Sequence, residues 1–181
     1  MEEYLKNAFL RYQRKNKILF NKNDYIIEYI QSLLNQYDRP CITLWALTLA
    51  QEMADYLFSI NSKELQFLKT VDICKLWAQG KCKMPIAKKE ILISHQLAND
   101  YNTENNCFIH ALAQGCSACH TIKHAIGYPI YELSGYVYKY GFENVDYRIK
   151  NRIKYYEELL IECDNKKDSI VWAKFITNKK P

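Results

Sequence analysis

The chain has 181 residues, 49% of them hydrophobic, with only five glycines and four prolines. That is enough for one well-buried core and argues against a sandwich or barrel, which needs frequent turn residues. A formal net charge of +5 is modest and its lysines and arginines form no concentrated stripe, so a nucleic-acid footprint is not expected. The longest apolar run, residues 42–50, is about half of what a membrane span requires.

In chain order, residues 2–20 are expected to form a first amphipathic helix carrying Leu5, Phe9 and Tyr12, with Arg11, Arg14, Lys15 and Lys17 facing water. Asn21 to Asn23 break it, and Asp24 is suited to cap a second helix with Ile26, Ile27, Ile30, Leu33 and Leu34 on its apolar face. Asp38-Arg39-Pro40 then reads as the cap and first turn of a helix in which Ile42, Trp45, Ala46, Leu49, Met53 and Leu57 recur at steps of three and four. This is the strongest helical period in the chain, and it is expected near the centre of the fold.

Asn61-Ser62 open a further helix, expected to bury Leu65, Leu68, Ile73, Leu76 and Trp77 and to end at Gly80. Met84-Pro85 begin the next, which runs to about Tyr101 and carries His95 on or beside its apolar side. A helix capped by Thr103 follows. On it His110, Ala113, Ser117, His120 and His124 would form one stripe, and its small residues invite close helix packing. Gly127 and Pro129 separate it from a tyrosine-rich helix ending at Gly141. A basic helix holds Tyr147, Ile149, Ile153, Tyr156, Leu159 and Leu160 among Arg148, Lys150, Arg152 and Lys154; a polar loop at residues 164–168 and a short apolar segment close the chain. The expectation is an all-α fold, one domain over residues 1–181, built as a bundle of about seven to nine helices.

Three chemistries compete for the stretch from Cys107 to Leu133. Cys116, Cys119 and His120 spell C-x-x-C-H, the signature of covalent haem attachment. Attachment normally follows export, and the opening residues MEEYLKNAFLRYQRK hold no apolar export segment, so a cytoplasmic location with seven free thiols is expected and haem is disfavoured. Zinc would use His120, His124 and Cys116, but Cys116 and His124 would stand about 12 Å apart along a helix, and no second paired spacing supplies the remaining ligands. No catalytic set and no cofactor are expected. The third reading, which is favoured, is structural or partner-facing: imidazoles packed and hydrogen-bonded, cysteines serving as small core residues, with His95, His110, His120 and His124, edged by Tyr131 and Glu132, as the candidate pocket or surface.

The segments WALTLA at residues 45–50, LWAQGKCKM at 76–84, and the 107–133 stretch with its HAIGYPIYEL resemble the bacterial family of Imm-five-like immunity proteins of polymorphic toxin systems. The likeness covers about residues 38–140 and rests on Trp45-Ala46, on Trp77-Ala78-Gln79-Gly80, and on His120 with His124-Ala125. It implies neutralisation of a cognate protein toxin and carries over no binding residues; together with the lack of a complete catalytic set, the leading expectation is a non-enzymatic cytoplasmic protein that binds and blocks a toxin domain. The alternative from another class is a metal- or small-ligand-binding protein, or an enzyme, using the histidines. Self-association is left open by the sequence.

Overall fold

The computed structural model describes residues 2–177, so Lys179 and Lys180, part of the basic C-terminal segment, lie outside the described residues, as do Met1 and the other end positions of the expected 1–181 domain. Among the described residues there are nine α-helices and no strand: α1 (Glu3–Gln13), α2 (Tyr25–Leu34), α3 (Arg39–Ile60), α4 (Gln66–Ala78), α5 (Met84–Leu97), α6 (Thr103–Ser117), α7 (Gly127–Tyr140), α8 (Val145–Lys166) and α9 (Lys174–Thr177). Short 3-10 turns follow α5, α6 and α8. No helix among the described residues is long and apolar enough to cross a membrane.

α3 and α6 form the centre. α6 packs against α7, α3 and α5, α3 also meets α4 and α8, and α4 pairs with α5. The α3 period reaches its expected positions: Ile42, Trp45, Ala46, Leu49, Met53 and Leu57 are all buried. Asp38 caps the helix by accepting from the Cys41 N–H at 3.1 Å, and Pro40 sits in the first turn, where no donor is needed. Trp45 is the largest wholly buried side chain, and its indole N–H donates to the Tyr156 carbonyl at 3.1 Å, so the ring is buried without stranding its one polar atom. Gly115 lets α6 approach α3 closely. A Cβ at that position would stand 2.7 Å from the Ala46 carbonyl oxygen, closer than any side chain tolerates.

Several local expectations are corrected. The first helix stops at Gln13, and Lys15 takes a positive φ of 60°. Residues 18–20 lie outside any helix and bury Leu19 and Phe20, whose backbone N–H groups donate to the Ser134 hydroxyl at 2.9 and 3.4 Å. Arg11 does not face water alone: its guanidinium donates to both carboxylate oxygens of the buried Asp24, so this aspartate ties α1 to the start of α2. In α4 the buried stripe is Phe67, Thr70, Val71, Cys74, Trp77 and Ala78, while Leu65 and Leu76 are exposed. The stripe is displaced because Thr70 is buried to meet Ser94 of α5, hydroxyl to hydroxyl at 2.9 Å.

α4 ends as expected at Gly80. With φ of 76°, it lets the Lys81 and Gly80 N–H groups return to the Leu76 and Trp77 carbonyls at 2.8 and 2.9 Å, the paired bonds of a Schellman motif. Asn102, one residue earlier than expected, caps α6 by accepting from the Asn105 N–H at 2.9 Å. Gly127 and Pro129 lie inside the first turn of α7, where a missing N–H costs nothing. The polar stretch 164–168 is not a loop, since α8 continues through Lys166 and a 3-10 turn follows.

Candidate functional site

The histidine stripe is broken at its midpoint. α6 ends at Ser117, and the chain turns through residues 118–121 before a 3-10 turn at Ile122–His124, so His120 and His124 leave the helix that carries His110. His95 of α5 and His110 of α6 nevertheless meet, with their Nδ1 atoms 2.7 Å apart and their rings 4.9 Å between centroids. At that distance one Nδ1 carries a proton and the other accepts it, so the two rings adopt complementary tautomers. His110 also rests against the Tyr131 ring at 5.3 Å. Burial, then His95 and Lys17, push the His110 imidazole down to about 4. Burial, then His124, lowers His95.

His120 and His124 come to the same region by a different route. The His120 ring stacks on Trp77 at 6.1 Å and 24°, with its Nδ1 2.8 Å from the Thr121 hydroxyl. His124 places its Nδ1 2.8 Å from Gln114 Oε1, and burial, then His120, lowers its pKa. These two rings and His95 line a pocket of about 320 Å³ between α4, α5 and the α6–α7 connection. Trp77, Ile91 and Leu92 supply apolar walls, and Lys88 supplies an ammonium group. His110 and Tyr131 stand behind His95 and do not line this pocket.

The expected set therefore divides, because Glu132 turns the other way, toward α8. It is 1% exposed and receives the Arg152 guanidinium in a fork, Nε to Oε2 at 3.0 Å and Nη2 to Oε1 at 2.9 Å. The Tyr156 hydroxyl donates to Oε2, and the Tyr128 hydroxyl donates to the Leu49 carbonyl at 2.9 Å while lying 3.2 Å from Oε1. Arg152 also reaches Glu52 of α3 at 3.1 Å, and Glu52 accepts from the Tyr155 hydroxyl. Burial works against the charged guanidinium, but Glu132, Tyr128 and Tyr156 outweigh it and hold the cation well above its ordinary pKa. Burial, then Glu132, pushes the Tyr128 and Tyr156 hydroxyls up, so both stay protonated donors.

This network forms the floor of a second cleft, of about 210 Å³, whose sides include Tyr56, Phe108 and Lys139. The Lys139 ammonium lies 4.3 Å from the Tyr56 ring centroid and donates to the Tyr56 hydroxyl at 2.7 Å. Sequence reasoning placed Arg152 among solvated basic residues and did not single out Glu52, Tyr128 or Tyr156. A signal was present: Arg152 stands three after Ile149 and four before Tyr156, on the stripe that α8 buries. A charge on such a stripe needs a buried partner.

The cysteines and histidine of the haem-like motif do not share a surface. Cys116 and Cys119 are wholly buried in the core, with the Cys119 thiol 3.9 Å from the Cys74 carbonyl, whereas His120 is exposed. Cys116, the third of the candidate zinc ligands with His120 and His124, is likewise inside. Among the described residues no group of three or more His, Cys, Asp or Glu side chains stands where it could hold a metal ion. All seven cysteines are free thiols.

The chain belongs to the family described as Imm-5 like putative immunity protein, whose model matches residues 32–159. The match extends past the 38–140 region of resemblance and takes in most of α8, including Arg152 and Tyr156. No curated protein and no solved structure matches the chain.

Proposed function

We propose that this protein acts in the cytoplasm by binding a cognate toxin domain and occluding it, with no chemistry of its own. Membership of an immunity-protein family carries the reading. The cleft chemistry supports it, since both oxygens of Glu132 are already taken by Arg152 and tyrosine hydroxyls, and the second lining carboxylate, Glu52, accepts from Arg152 and Tyr155.

The face best suited to a protein partner is the groove where α7 meets α8. Tyr136, Tyr140, Tyr147, Arg148 and Tyr155 line it around Arg152. Tyrosine and arginine dominate the energetic centres of protein interfaces because they offer large contact area and polar tips at low entropic cost. Here they are also held in place: the Arg148 guanidinium lies 3.9 Å over the Tyr140 ring, and Arg152 lies 4.8 Å over Tyr155. Side chains fixed before binding lose less freedom on binding. Tyr147, at 73% exposure, is the free anchor.

The test is to search the adjacent open reading frames for a toxin gene and to co-express its toxin domain with this chain, followed by titration of the two purified proteins. Protection of growth and a one-to-one complex are expected, with Tyr147→Ala and Arg148→Glu each weakening the complex about 10-fold or more. A toxin that kills regardless of the chain, and forms no complex with it, refutes the reading.

A further inference from the structure

The histidine pocket shares no lining residue with the α7–α8 groove, and toxin occlusion there makes no use of it. Its polar equipment is one-sided. Three imidazoles and the Lys88 ammonium face a cavity that no carboxylate lines. The acids on the contributing helices are elsewhere. Glu90 of α5 is buried against Gln66 and Lys69. Glu104 stands at the far end of α6 beside Lys139 and Tyr56. Asp72 of α4 is five residues from Trp77, so it points to a different side of the helix. Lys81, Lys83, Lys89 and Lys123, all exposed, add positive charge on the segments around the mouth.

The apolar equipment is equally definite. Trp77 and His120 form a stacked pair on one side, Ile91 and Leu92 lie on the other, and Met84 closes the edge. Leu92 at 49% and Met84 at 42% exposure are large apolar side chains left open to water beside this cavity. At about 320 Å³ the space is near the lower end of the range for small-ligand pockets, about 300–1,000 Å³, which suits one or two fused rings.

We infer that this pocket binds a small planar aromatic anion, an aryl carboxylate or aryl acetate, with its ring against Trp77 and Leu92 and its carboxylate toward Lys88 and the imidazoles. Each imidazole already commits its Nδ1, to His110, Thr121 or Gln114, so its Nε2 edge is what remains for a ligand. Burial holds His95 and His124 below the ordinary imidazole pKa, and the neighbouring imidazoles lower them further, with no lining acid to offset either effect. A bound carboxylate favours the protonated rings, so binding takes up protons and tightens as pH falls.

The experiment is calorimetric titration of the full chain with benzoate and indole-3-acetate, against benzyl alcohol as the uncharged ring and acetate as the ringless anion. The aryl carboxylates should saturate one site at least about 10-fold more tightly than either control, and more tightly at about pH 6 than at about pH 7.5. Lys88→Glu and Leu92→Asp, both at exposed positions, should each weaken binding about 10-fold or more, whereas Lys154→Glu on α8 should not. Circular dichroism of each variant checks that it is folded. Absence of saturation at millimolar ligand, equal binding of benzyl alcohol, or indifference to the folded Lys88 and Leu92 variants overturns the assignment. No toxin enters the measurement, so its failure leaves toxin binding untouched, and failure of toxin binding leaves this site untouched.

Discussion

Arg152→Met tests whether the Glu132 network is a structural keystone. The substitution keeps most of the side-chain length but removes the fork to a carboxylate that is 1% exposed and the link to Glu52. Removing one partner of a buried pair costs about 3–5 kcal/mol, because the remaining charge is left without compensation. Here the Tyr156 and Tyr128 hydroxyls still face Glu132, so the lower end of that range, about 3 kcal/mol, is expected. For a chain of this length that is a fall in Tm of roughly 6–12 °C. Glu132→Gln should cost less, about 2 kcal/mol, because Arg152 keeps Glu52 and an amide oxygen. The double variant should lose less than the sum of the two by about 1–2 kcal/mol, the coupling of groups in one network. Urea unfolding followed by tryptophan fluorescence measures all three. An Arg152→Met variant within about 1 kcal/mol of the parent, or strict additivity, would refute the argument that these groups compensate one another.

Three further outcomes are expected. The fold holds His110 down to about 4, below the ordinary imidazole value of about 6.5, so the unfolded chain takes the proton first. This contribution is complete above pH 6.5 and is lost as pH falls toward 4, amounting to about 1–2 kcal/mol once solvent screening of a half-buried ring is allowed for; a His110→Asn variant should lose that part of the slope in urea midpoints between those limits. Gly135→Ala should cost about 1–3 kcal/mol, because its Cβ would overlap the Phe108 ring that packs between α6 and α7, and a Tm equal to the parent's would contradict this. Finally, a thiol reagent at neutral pH should modify Cys82 first, since it is the half-buried cysteine while burial pushes Cys41 and Cys107 up to about 12, and all seven should react only on denaturation.

What the sequence made legible was the part of the fold governed by local period and end signals. α3 could be read because Ile42, Trp45, Ala46, Leu49, Met53 and Leu57 recur at helical spacing, although burial extends beyond that face to Thr43 and Leu47, and α4 could be ended at Gly80 because a residue free to take positive φ closes a Schellman motif. The histidine helix was misread past Ser117 because TIKHAIG keeps helical spacing, and what ends α6 is tertiary. Arg39 from α3 donates to the Cys119 and His120 carbonyls, both at 3.0 Å, capturing acceptors that a continued helix would have used.

The site shows the same division between local and distant causes. His95, His120 and His124 do share a cavity, but they reach it from two elements and a turn, so a one-helix geometry for zinc could not describe them. Glu132 was nominated from its neighbourhood in sequence, yet its surroundings are set by Arg152, twenty residues later, and by Glu52, in a helix far earlier in the chain. A buried charge on a helix stripe announces that a partner exists; which residue it is depends on which helices the core brings together. Here packing of α8 against both α3 and α7 makes that choice, and it points Glu132 away from the imidazoles. The molecule therefore carries two separate polar centres, one in which Glu132, Glu52 and Arg152 pair with one another, and one lined by three imidazoles and Lys88 with no carboxylate.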